Sequence, residues 1–112
     1  LSKEAISKIA MGFDLAELDH LSELHDLDPA TYGDLMALAR NLGAAMKSAT
    51  GAVKINTAAI GNIVTQLHLH IVARHHDDAA WPAPVWGHGH AMPLAAATAD
   101  QRIQIVKKCL AE

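Results

Sequence analysis

Apolar residues recur along the chain with two different periods. Ile6, Ile9 and Phe13 keep a spacing near 3.6 residues and predict a first helix. Gly12 interrupts it, and Asp14, three residues before Glu17, predicts the cap of a second helix. Leu15, Leu18, Leu21 and Leu24 give that helix an apolar stripe suited to a core or a dimer interface. Asp28-Pro29 predicts a third start, with Asp as N-cap and Pro at the first helical position. Leu35, Leu38, Ala39, Leu42 and Met46 form its inner face, and Gly51 its stop.

From Ala52 the period changes. Val53 to Ile60 is short, apolar and free of Pro, and reads as a strand. Gly61-Asn62 signals a turn, and Gln66 to Arg74 alternates as a second strand, so a hairpin is predicted. His75-His76-Asp77-Asp78 then leads into Trp81-Pro82-Ala83-Pro84-Val85-Trp86-Gly87-His88-Gly89-His90, whose prolines and glycines exclude regular structure. Thr98 opens a T-x-x-Q box with Gln101, and a last helix turns Ile103, Val106 and Leu110 inward.

Composition narrows the class. With 112 residues, 51% hydrophobic and 19% charged, the chain is one globular domain. A net charge of −3 without a basic block argues against a dedicated nucleic-acid binder, though not against one small phosphate ligand. Cys109 has no partner for a disulfide and reads as a buried helix residue, which fits a cytoplasmic setting. No apolar run reaches the roughly 20 residues of a membrane span, and the first residues lack the plan of a secretory signal. The chain opens without an initiator Met, as a fragment or processed product would. Six of its eight histidines fall between His68 and His90, and this is where chemistry is sought.

Alternate side chains of a strand share a face. Gln66, His68 and His70 therefore point one way, and Leu67, Leu69, Ile71 and Ala73 the other, toward the Asp28 helix. Two imidazoles about 6–7 Å apart can serve one ligand, one attacking and the other donating a hydrogen bond. A hairpin turning at Gly61 to Val64 brings Asn56 level with the pair, and Asn62 stands beside the turn. Plainer readings stand beside these. A His-x-His pair can be a solvated strand face, Asn62 a turn residue, Asn56 a cross-strand hydrogen bonder. His75, His76, His88 and His90 can be surface, and the two tryptophans packing.

The run Gly61-Asn62-Ile63-Val64-Thr65-Gln66-Leu67-His68-Leu69-His70-Ile71-Val72 resembles the motif of histidine-triad (HIT) proteins, G-Q-x-V-x-H-φ-H-φ-H-φ-φ with φ apolar. Trp81-Pro82-Ala83-Pro84-Val85-Trp86-Gly87 resembles the Trp-Pro segment of a bacterial branch. The resemblance implies hydrolysis or transfer of nucleotidyl groups at an α-phosphate. It makes His68 the catalytic nucleophile and His70 the phosphate binder. Gln66 takes the place of the first histidine as a supporting residue, and Asn62 that of a Gln that approaches the phosphate. Asn56 lies one position out of register with a strand Asn. Gln66 cannot relay a proton as imidazole can. The family's ribose-binding strands precede its long helix, where residues 1–27 read here as helical.

The expected fold is α+β: a small antiparallel sheet, a long helix on one face, and helical N- and C-terminal segments. Residues 1–27 form the atypical segment, 28–90 the core and 91–112 the last helix. The expected partners are a small nucleotide and a second copy of the chain, a homodimer, with no cofactor, metal, nucleic acid or membrane. Two other functions stay open. One is a non-catalytic dimeric remnant. The other is a metal-binding protein using His68, His70, His88 and His90.

Overall fold

The computed structural model describes residues 21–88 and 96–111, without the side chains of 99, 110 and 111. The first expected helix and most of the second lie outside the described residues. Within them the order is a 3-10 turn at Leu24–Asp26, α1 (Pro29–Thr50), β1 (Lys54–Ala58), β2 (His70–Arg74) and α2 (Ala96–Ala111). The two strands pair in one antiparallel sheet, so the α+β class is as expected. Contacts divide the chain into two units, Leu1–Asn41 with Thr57–Ile71 and Leu42–Asn56 with Val72–Glu112. Helix α1 and both strands contribute to each unit.

In the first unit, the start of α1 follows from its cap. Thr31 N–H donates to Asp28 Oδ1 at 2.9 Å, and Thr31 Oγ1 donates to Oδ2 at 3.0 Å. These bonds satisfy an otherwise orphaned helix donor and hold the Asp28 carboxyl below its usual pKa. Leu35 and Leu38 are half-buried and Ala39 is buried, as the periodicity requires. Before the helix, Leu21 is not helical and Leu24 belongs to the 3-10 turn. The expected leucine stripe therefore does not continue as α-helix through these two residues.

In the second unit, Leu42, Met46, Ala52, Ala80 and Cys109 are buried. An added Cβ on Gly43 would stand 3.4 Å from Ile55 Cγ2, so α1 runs close against β1 here. The helix stops as expected. Gly51 has φ +68 and its N–H donates to Lys47 O at 3.1 Å, a left-handed ending that glycine adopts without steric cost. Val53 N–H donates to Arg74 O at 2.9 Å just beyond the strand ends.

Four expectations need correction. The strands are shorter than the apolar runs: β2 begins at His70, so Gln66 and His68 precede the ladder. The connection between strands is not a tight hairpin but residues 59–69, with Gly61 at φ +63 and Ile63 94% exposed. His70–Ala73 are all half-buried, so the strand lacks the clean contrast between one apolar and one polar face. Helix α2 begins at Ala96, placing Thr98 inside its first turn, and Ile103 is 37% exposed. The reason is propensity: Ala96 and Ala97 extend a helix readily.

Candidate functional site

The lead-in to β2 is fixed by one backbone bond. Leu67 N–H donates to Leu21 O at 2.7 Å, which fastens the residue before His68 to the segment before α1. His68 then turns its ring back on the chain, with Nδ1 2.7 Å from the Gln66 carbonyl oxygen. A carbonyl has no proton to give, so Nδ1 carries the hydrogen and donates it. In neutral imidazole that leaves the Nε2 lone pair available, the state a nucleophile needs.

The His70 ring lies edge-on to His68, with centroids 4.9 Å apart. Burial foremost, and then the neighbouring His68, hold the His70 pKa below its usual value, so near neutral pH the ring is uncharged. The structure thus brings His68 and His70 together. Gln66 joins them through its backbone carbonyl. Asn62 is exposed on the 59–69 connection.

Beside His68 opens a cleft of about 260 Å³. Its lining comes from the segment Ser22, Glu23, Leu24 and His25 and from Ala59 to Gly61 with Leu67 and His68. Asp26 shapes the first segment, accepting from Glu23 N–H at 3.0 Å and Ser22 N–H at 3.3 Å. These bonds, Glu23's first, lower the Asp26 pKa. Sequence reasoning missed this segment, because it read residues 21–25 as the end of a helical stripe.

Asn56 has another partner in the second unit. Its Oδ1 accepts from Arg74 Nη1 at 2.8 Å. Arg74 is 1% exposed and donates also to both Asp78 oxygens and, at 2.7 Å, to the Ala83 carbonyl. Its guanidinium lies 5.4 Å from the Trp81 ring centre, a cation–π contact. Asp78 accepts in turn from the Ala80 and Trp81 N–H groups. The Arg74 side chain above all draws its carboxyl down to a pKa of about 2. This cluster organises the Trp-Pro loop, whose Trp81-Pro82 bond is cis. An Arg ending an apolar strand with an Asp four residues on was the available signal.

Among the described residues no group of three or more His, Cys, Asp or Glu is placed to hold a metal, and no helix is long and apolar enough to cross a membrane. His90 lies outside the described residues.

The HIT domain model matches residues 14–77, more than half of the chain. No functionally curated protein matches it. Solved structures do. A histidine triad protein of Sinorhizobium meliloti is 38% identical with a TM-score of 0.75, over 80% of this chain and 66% of that one. One from Bradyrhizobium japonicum is 38% identical with a TM-score of 0.76, over 80% and 67%. One from Marinobacter aquaeolei is 32% identical with a TM-score of 0.75, over 81% and 66%. The chain thus spans about two-thirds of the length of these relatives. Motif, fold and these matches agree: the chain belongs to the histidine-triad family.

Proposed function

We propose that the chain binds a nucleotide and acts at its α-phosphate, as a hydrolase or nucleotidyl transferase, with His68 as nucleophile. The observation that carries this reading is the Nδ1–H bond from His68 to the Gln66 carbonyl, which directs the ring's reactive nitrogen away from its own backbone. In this scheme Nε2 of His68 attacks phosphorus, the bond to the leaving group breaks, and water later releases the nucleotide from the nucleotidyl-histidine. Splitting one displacement into two lowers the barrier of each. His70, kept uncharged, donates an N–H to a phosphate oxygen. Gln66 supports the loop, and Asn62 is the further polar group assigned to the phosphate, while the Asn56 carbonyl oxygen serves Arg74. The working form is a cytoplasmic homodimer, because the two-stranded sheet among the described residues leaves strand edges to cover.

The test is a melting titration of metal-stripped protein with AMP and GMP. A ligand that binds only the folded state raises stability with its concentration. The expected outcome is a rise that vanishes in His68→Ala and His70→Ala. His68→Asn is expected to lower turnover by about a thousandfold or more. A second reading is a non-catalytic remnant, in keeping with a sheet of two strands among the described residues; no melting shift at millimolar nucleotide would move it ahead of the enzyme.

A further inference from the structure

We infer that His25 is the general acid and base of the His68 site, protonating the group that leaves phosphorus and later taking a proton from the attacking water. This inference rests on the proposed role of His68. Expulsion of an alkoxide, phenolate or amide from phosphorus needs a proton unless the leaving group is already a stable anion. The residues nearest the nucleophile cannot give one. Gln66 does not ionise. His68 has its Nδ1–H in the Gln66 carbonyl bond and its Nε2 in the new P–N bond. His70 is held uncharged by burial and by His68.

The cleft supplies what is missing. Its lining, which includes His68, also includes three residues with polar side chains, Ser22, Glu23 and His25. A serine hydroxyl is too weak an acid, and an ordinary carboxylic acid has already lost its proton at neutral pH. Imidazole alone exchanges a proton readily in this range. Asp26 Oδ1 lies 3.9 Å from His25 Nε2, and Asp26 is itself fastened by two backbone N–H groups. At that distance the carboxylate acts on the ring by charge alone, without a direct hydrogen bond. The His25 side chain is 84% exposed, so a leaving group and then a water can both reach it from the solvent side.

The steps balance. As His68 Nε2 bonds to phosphorus, the P–O or P–N bond to the leaving group breaks and that atom takes the His25 proton. Water then attacks the nucleotidyl-histidine and passes a proton to neutral His25. The P–N bond to His68 breaks, and both rings return to their starting states.

Two AMP esters separate this role from a structural one: the phenyl ester, whose leaving group needs a proton, and the p-nitrophenyl ester, whose leaving group does not. kcat/KM reports formation of the nucleotidyl-histidine, before any common hydrolysis step. His25→Gln is expected to lower kcat/KM about a hundredfold on the phenyl ester and less than about threefold on the nitrophenyl ester. Its melting temperature should stay that of the parent. Equal losses on both esters, or no loss on either, overturn the role of His25 while His68 stands. Undiminished turnover of the nitrophenyl ester by His68→Asn, or a parent inactive on both esters, overturns the His68 reading and this inference with it.

Discussion

At the scale of single residues, Arg74 and His68 show how far one side chain can decide local structure. Arg74 joins Asn56, Asp78 and the Ala83 carbonyl while almost fully out of water. Removing a buried cation strands the polar groups that faced it. Arg74→Ala should therefore cost about 3 kcal/mol of stability by denaturant unfolding. Arg74→Lys should fall between it and the parent, because a point ammonium cannot serve three partners that a planar fork reaches. In the sequence, alternation and motif both single out His68 and His70, and the structure sets their rings side by side. The sequence did not show their backbone state. Gln66 to Leu69 alternate as a strand would, yet they lie outside the ladder, because pattern records side-chain environment and not whether a neighbouring strand is present to pair.

At the scale of elements, α1 was legible from end to end because its boundaries are chemical. Asp28-Pro29 and Gly51 each carry a local backbone requirement that holds whatever packs nearby. Two glycines in and after this helix make opposite predictions. Gly33 is helical with nothing within 4 Å of an added Cβ, so Gly33→Ala should stabilise by about 0.5–1 kcal/mol. Gly51 has equally open space but φ +68, so Gly51→Ala should destabilise by about 1 kcal/mol. Thermal unfolding of the two variants side by side checks the sign. Helix α2 was less legible, because alanines before Thr98 carry no stop signal. The 3-10 turn was illegible, for one turn of three residues has no periodicity to read.

At the scale of the whole molecule, acid sensitivity is built from several depressed carboxyls. Asp26, Asp28 and Asp78 titrate below their usual value in the fold. Their contribution is complete above the unfolded value of about 3.9 and is lost as pH falls through the folded values. For Asp78 that window closes at about 2. Asp78→Asn should flatten the fall in melting temperature between about pH 4 and 2. His70 acts at higher pH. Its folded pKa is lowered, so below about 6.5 the unfolded chain takes up a proton first and stability declines. His70→Asn should remove that shallow slope. The net charge and the pattern of helices and strands placed the chain in its class, but neither could place residues 21–25 against His68, since that contact joins segments distant in sequence.

The bond from Leu67 N–H to Leu21 O makes the order of assembly matter. It closes a loop that contains all of α1 and β1, and closing a long loop is an entropic cost met only after the intervening elements have formed. The cleft is therefore among the last parts to assemble and among the first to open. The exchange rate of the Leu67 amide with deuterated water reads that opening directly. Slow exchange would mark a cleft that stands ready before any ligand arrives. Fast exchange, slowed by nucleotide, would mark one that the ligand itself completes.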